Sequence, residues 1–124
     1  MKKIILDTNF LMIPFSLKVD IFRELERILE EPYEICVLEG SLRELDHILA
    51  SQKGKDRDAA KFALAMVKAK KIAMLSSRQH VDDELVAWAG KGAIIATQDA
   101  ELKRRVRGKG GLILLRQKRY LMRE

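Results

Sequence analysis

With 124 residues, the chain is long enough for one domain, residues 1–124, with a single buried core. Its composition is typical of a soluble globular protein, no apolar run approaches the roughly 20 residues of a membrane span, and the single cysteine excludes an internal disulfide. The net charge of the chain is +6. Residues 100–124 contain nine Lys and Arg and two Glu, a net charge of +7, so the remaining residues have a net charge of −1. This basic end predicts a polyanionic partner. The cytoplasm is the expected compartment, because the first apolar run is too short for a signal peptide.

The spacing of apolar residues predicts strands and helices in alternation along the chain. The predicted strands are residues 3–7, 34–38, 72–75, 93–97 and 112–115. The predicted helices are residues 19–30, a segment beginning at residue 41, and residues 56–70, 81–89 and 101–106. Strands that are apolar on both faces and alternate with helices indicate a parallel sheet that is covered on both sides. We therefore predict a three-layer α/β/α sandwich with a mostly parallel five-stranded sheet.

Four acidic residues fall near one edge of this predicted sheet. Asp7 closes the first strand, and Asp99 follows the fourth strand by two residues. Glu44 lies in the first turn of the helix after the second strand, and Asp83 lies in the first turn of the helix before the fourth strand. In open parallel sheets, ligands bind beyond the carboxyl ends of the strands. We expect the four carboxylates to meet at that edge.

Carboxylates gathered in this way must take up protons or recruit cations. Two of them about 4 Å apart repel each other by roughly 4 kcal/mol at an effective dielectric constant near 20. Mg²⁺ or Mn²⁺ suits a site with only carboxylate ligands, because both ions prefer oxygen donors. Such an ion can polarise a phosphodiester and lower the pKa of a bound water. A divalent-metal site that acts on phosphodiesters is therefore one interpretation of these four acids.

Each acid also has a plainer interpretation, which the sequence leaves open. Glu44 has the spacing of a capping-box partner of Ser41. Asp83 could serve only as a favourable charge at a helix N-terminus, and Asp99 could serve only as an N-cap. Asp7 lacks a capping role unless a helix begins directly behind it.

Four segments resemble the motifs of the PIN domain, a nuclease family built on an α/β/α fold. In chain order they are Leu-Asp-Thr-Asn-Phe (6–10), Ser-Leu-Arg-Glu-Leu (41–45), Val-Asp-Asp-Glu-Leu-Val-Ala-Trp-Ala (81–89) and Ile-Ala-Thr-Gln-Asp-Ala-Glu-Leu (95–102). The longer run 95–107, together with Gln-Lys-Arg-Tyr (117–120), is similar to the branch that processes ribosomal RNA in archaea and eukaryotes.

This resemblance implies a Mg²⁺- or Mn²⁺-dependent endoribonuclease. Its catalytic and metal-binding residues would be Asp7, Glu44, Asp83 and Asp99. The polar side chains that orient ligands or waters would be Thr8, Asn9 and Thr97. Asp83 matches the family spacing better than its neighbour, so Asp82 is interpreted as the N-cap of its helix.

The basic end supplies candidate contacts to the RNA backbone. These are Lys103, Arg104, Arg105 and Arg107, on the helix that leaves the predicted active edge. Phosphate contacts from such residues give affinity that depends on salt and not on sequence. The alternative is a solvated helix. His47 has the Glu-x-x-His spacing of di-iron sites relative to Glu44, but a second such motif is lacking, so His47 is predicted to be a surface residue.

Three functional hypotheses follow. The first is an endoribonuclease that processes ribosomal RNA, and the second is the ribonuclease toxin of a toxin–antitoxin pair. The third is a ribosome assembly factor that binds RNA without cutting it. The expected partners are RNA, a second copy of the chain in a homodimer, and ribosome-assembly proteins or an antitoxin, with no membrane.

Overall fold

A six-stranded sheet runs through the middle of the computed structural model, which describes residues 1–124. Its strands are β1 (Lys2–Leu6), β2 (Tyr33–Leu38), β3 (Ala73–Leu75), β4 (Ile94–Ala96), β5 (Gly111–Arg116) and β6 (Tyr120–Arg123). They lie in the order β3-β2-β1-β4-β5-β6, and only β6 runs antiparallel to its neighbour. The chain winds outward from β1 in both directions. The topological switch point, where ligands bind in such sheets, therefore lies between β1 and β4.

Seven helices cover the two faces of the sheet. They are α1 (Thr8–Leu11), α2 (Ile13–Leu17), α3 (Ile21–Ile28), α4 (Glu39–Ser51), α5 (Gly54–Ala69), α6 (Val81–Gly90) and α7 (Ala100–Val106). Side chains of β1 alternate between two cores: Ile4 and Leu6 pack with helices α1 to α5, whereas Ile5 packs with α6 and α7. The predicted α/β/α sandwich is thereby confirmed. None of the helices combines the length and apolar character that a bilayer crossing requires.

The sixth strand was not predicted. Only Leu121 of β6 is buried, and the other three side chains of this strand are exposed, so its sequence has little apolar signal. The turn before it contains Gln117 and Lys118, both with positive φ angles, whereas glycine and asparagine are the residues that usually mark such hairpins. The short helices α1 and α2 were also missed, because four or five residues are too few for a helical apolar period.

Candidate active site

The carboxyl ends of β1 and β4 open into a cleft of about 640 Å³. Leu6 pairs with Ala96 in the parallel register, which brings Asp7 beside Thr97 just beyond the two strands. One wall of the cleft is α4, and the opposite wall is formed by the start of α6 and the residues before it. Four acidic residues line the cleft: Asp7, Glu44, Asp82 and Asp99.

Asp7 is the most constrained of these acids, with only 5% of its surface exposed. Its Oδ1 accepts a hydrogen bond from the backbone N–H of Thr8 at 2.8 Å, and its Oδ2 accepts one from the Thr97 hydroxyl at 2.8 Å. The first of these bonds makes Asp7 the N-cap of α1, so the helix that gives this acid a capping role does form. Both carboxylate oxygens are thus fixed in direction before any ligand arrives.

Burial is the main cause that raises the pKa of Asp7 above its ordinary value of 3.8. The hydrogen bonds from Thr97 and Thr8 oppose this shift, because they favour the charged form. The negative charges of Asp82 and Glu44 raise the pKa further. An ionised Asp7 is therefore costly in the absence of a cation, and a cation in the cleft would relieve both the burial cost and the repulsion.

Glu44 does not belong to a capping box, so that alternative is wrong. Helix α4 begins at Glu39, two residues earlier than predicted, and Ser41 is fully buried inside its first turn. Glu44 is consequently in the second turn, where its carboxylate lines the cleft and accepts a short hydrogen bond from the hydroxyl of Thr8.

The third acid that lines the cleft is Asp82, whereas the predicted Asp83 lies outside it. The Asp83 side chain is 58% exposed and pairs with Arg105 of α7, with Oδ1 2.8 Å from Nη2. The N-cap of α6 is His80 rather than Asp82, so the capping role predicted for Asp82 is also wrong. Adjacent residues of a helix point about 100° apart, so only one of the two aspartates can face the cleft.

Asp99 has the capping role that the sequence left open, and it also lies at the cleft. Its Oδ1 accepts a hydrogen bond from the backbone N–H of Leu102 at 2.9 Å, which makes it the N-cap of α7. Its own N–H donates to the Thr97 hydroxyl at 3.0 Å. Thr97 thereby links Asp7 and Asp99, whereas Asn9 lines the cleft as an exposed side chain.

The chemistry of these donors fits Mg²⁺ or Mn²⁺. No three Asp, Glu, His or Cys side chains converge closely enough to form a metal cage by themselves. Mg²⁺ is usually held by one or two carboxylates together with waters and substrate phosphates, so a dedicated cage is not required. The hard oxygen donors around the cleft and the raised pKa of Asp7 suit such an open site.

The predicted RNA-binding cations do not line the cleft. Arg105 is paired with Asp83, and the Nε of Arg107 lies 2.5 Å from a carboxylate oxygen of Glu124. Lys103 also acts on Glu124, since its charge helps to lower the pKa of that carboxyl. Neither Lys103 nor Arg104 forms an ion pair, and none of the four side chains lines the cleft.

Several cleft residues were missed by the sequence analysis. Arg43 and His47 lie one helical turn apart on α4, and Gln79 and His80 lie just before α6. His47 is exposed, as predicted, but it is exposed at the cleft. The available signal was the spacing of Arg43 and His47, one helical turn apart on the same predicted helix as Glu44.

Three hydrogen bonds hold the two walls together at Ser77. Its backbone N–H donates to Glu39 at 3.0 Å, its hydroxyl accepts from the N–H of Gly40 at 3.0 Å, and its carbonyl accepts from Arg43 at 3.2 Å. Gly40 also allows α4 to approach α6 closely, because a Cβ at this position would lie 2.6 Å from Cγ2 of Val81.

We expect Gly40→Ala to lower the free energy of unfolding by about 1–3 kcal/mol, the usual cost of overpacking. The methyl group must push Val81 away, which moves the two walls of the cleft apart. Urea denaturation measures the effect. Gly90→Ala is the matched control, because it also lies in a helix but a Cβ there meets nothing within 4 Å. This control should leave stability unchanged or raise it by about 0.5–1 kcal/mol, and equal losses in both variants would contradict the packing argument.

Comparison with known proteins agrees with this architecture. A family profile described as "PIN like domain" matches residues 4–118. The chain is 34% identical to Ribonuclease VapC4 of Methanocaldococcus jannaschii over 125 aligned positions, which cover 97% of this chain and 95% of the relative. It is 32% identical to Ribonuclease VapC9 of Archaeoglobus fulgidus, over 86% of this chain and 76% of that protein. The solved structure of the PIN domain endonuclease Utp24 superimposes with a TM-score of 0.79 at 22% identity, covering 98% of this chain and 90% of that one.

Proposed function

The chain belongs to the PIN-like domain family, and from this premise we propose that it is a metal-dependent endoribonuclease. The observation that carries the proposal is the buried Asp7 at the switch point of the sheet, with its pKa raised and three further acids around the same cleft. The two archaeal relatives are named ribonucleases and are matched over most of their length, which supports RNA as the substrate.

A Mg²⁺ or Mn²⁺ ion would be held by one or two of the four cleft carboxylates (Asp7, Glu44, Asp82 and Asp99), together with waters and a substrate phosphate. The chemistry of the bound ion would be to polarise the scissile phosphodiester and to lower the pKa of the attacking water. The chain's own contribution is to fix the ligands. Thr97 holds the Asp7 carboxylate in one orientation, and Thr8 holds Glu44 towards it. The exposed amide of Asn9 would orient a water or a phosphate oxygen at the mouth of the cleft.

A cleavage assay on structured ribosomal RNA fragments tests the proposal. We expect cutting with Mn²⁺ or Mg²⁺, none in EDTA, and none with the Asp7→Asn variant, which controls for contaminating nucleases. Cleavage that survives EDTA or the substitution would reject the carboxylate mechanism. RNA binding without cleavage under all conditions would favour the third hypothesis, a non-cleaving ribosome assembly factor.

For the biological role, we propose the processing of ribosomal RNA, on the strength of the motifs in residues 95–107 and 117–120. The second candidate is the ribonuclease toxin of a toxin–antitoxin pair, and the likeness to the two archaeal VapC ribonucleases favours it. Expression of the wild type beside Asp7→Asn in a growing host distinguishes them. A processing enzyme should cut precursor ribosomal RNA at one or a few positions while growth continues, whereas a toxin should arrest growth only when Asp7 is intact.

A further inference from the structure

The cleft has an imbalance of charge that bears on how it could hold RNA. Four acids line it, but among its thirteen lining residues Arg43 is the only lysine or arginine. RNA is a polyanion whose binding depends on cations that contact its phosphates. One divalent ion would offset two of the four negative charges, so an approaching strand would still meet net repulsion near Asp7. Arg43 is thus the permanent positive charge that the protein itself supplies inside the cleft.

The Arg43 side chain is already oriented for this contact. Its Nη2 donates to the carbonyl of Ser77 on the opposite wall at 3.2 Å. A guanidinium carries five N–H donors in a planar fork, so most of them remain available to phosphate oxygens. The contact with Ser77 already favours one orientation of the side chain, which reduces the conformational entropy that binding would cost.

His47 extends the same wall by one helical turn. Residues four apart on a helix lie on the same face, so His47 follows Arg43 along the cleft, with Glu44 between them. Its side chain is exposed. Exposed histidine rings can stack on unpaired RNA bases. A strand whose phosphate contacts Arg43 would bring a neighbouring base within reach of this ring.

We propose that Arg43 and His47 form the RNA-holding wall of the cleft: Arg43 binds a phosphate next to the one that is cut, and His47 stacks on the adjoining base. This inference rests on the proposed endoribonuclease function and specifies how that site holds its substrate. It places the principal RNA contacts on α4, which lines the cleft, rather than on α7, where Arg105 and Arg107 lie outside the cleft and pair with Asp83 and Glu124.

The test measures binding of a short, labelled, single-stranded RNA of mixed sequence, in Mg²⁺, with every variant made in the Asp7→Asn background so that the RNA stays intact. Arg43→Gln should weaken binding about tenfold, as expected for losing a charged hydrogen bond. It should also reduce the slope of log affinity against log salt by about 0.7, the share of one phosphate contact with a single strand. Arg43→Lys should restore the slope, because the charge returns.

His47→Ala should weaken binding at least about fivefold with the salt slope unchanged, since base stacking involves no counterion release. Arg23→Gln is the matched control, because Arg23 is an exposed arginine on α3 that lies outside the cleft. It should leave affinity and slope unchanged. An equal loss in this control, or an unchanged slope in Arg43→Gln, would overturn the inference.

Cleavage by the wild-type protein, which keeps Asp7, separates the RNA-holding wall from the endoribonuclease function. If the wild type cuts RNA, but the Arg43→Gln variant binds RNA as tightly as Asp7→Asn alone, the inference fails and the endoribonuclease function stands. If it cuts nothing with either metal, the endoribonuclease function fails, whereas the salt slopes still decide whether Arg43 contacts phosphate.

Discussion

Asp7→Asn is expected to reduce the rate of RNA cleavage by more than about a hundredfold. Loss of a residue that only supports a metal ligand costs about 10–100-fold, and loss of the ligand itself should cost more. The reason is that Asp7 is buried at the cleft, feels the charges of Asp82 and Glu44, and has both oxygens directed by Thr8 and Thr97. Asparagine keeps the shape and the polarity of the side chain but removes the charge that a divalent cation needs. Initial cleavage rates in Mn²⁺ measure the loss.

The same substitution should stabilise the metal-free protein at neutral pH. A carboxyl whose pKa is raised in the folded state contributes stability below its unfolded pKa, and that contribution is lost as the pH rises through the folded pKa. Since burial raises the pKa of Asp7, its ionisation costs stability at pH 7, and Asp7→Asn avoids this cost. The gain should disappear below about pH 4, where the carboxyl is protonated in both states.

Urea denaturation in EDTA at acidic and neutral pH checks this expectation. Added Mg²⁺ should then stabilise the wild type more than Asp7→Asn, because a ligand stabilises only the form that binds it. A variant that loses activity and stability together at neutral pH would indicate a structural role for Asp7 instead. Thr97→Val offers a second check, since it removes the hydroxyl that orients Asp7 but not the charge.

Asp82→Asn and Asp83→Asn are expected to differ sharply, although the two residues are neighbours. Asp82 lines the cleft and its charge acts on Asp7, so its loss should reduce cleavage by more than about tenfold, the lower range for ligand-shell changes. Asp83 is largely exposed and pairs with Arg105, and surface ion pairs of this kind contribute only about 0–1 kcal/mol to stability. We expect nearly normal cleavage from Asp83→Asn.

Each aspartate serves as the control for the other, because both substitutions remove one charge from the first turn of α6. Cleavage rates with saturating Mn²⁺ and with limiting Mn²⁺ provide the measurement. A loss that is larger in limiting Mn²⁺ than in saturating Mn²⁺, in Asp82→Asn alone, would support its role as a ligand. The reverse pattern, with Asp83 essential and Asp82 dispensable, would show that the ion pair with Arg105 opens in the active enzyme.

The layered fold could be predicted because its signals are local. Each predicted strand and helix corresponds to an element of the structure, since apolar spacing depends only on the geometry of the element itself. β6 lacked that signal, because a strand with one buried residue in a hairpin without glycine resembles a polar loop. β6 is positioned by its pairing with β5, and the amino-acid composition of β6 alone does not reveal that pairing.

The sequence by itself determined the alternation of elements and, with it, the positions of Asp7 and Asp99, because residues that follow parallel strands must lie at the carboxyl edge of the sheet. Only the tertiary structure decided which of Asp82 and Asp83 faces the cleft. Neighbouring helical residues point about 100° apart, and the packing of α6 against the sheet sets the rotation of this helix about its own axis. The tertiary structure also decided where the positive charge lies. Arg105 and Arg107 pair with Asp83 and Glu124, whereas Arg43 on α4 lines the cleft, because the packing of elements distant in the sequence sets the partners of each side chain.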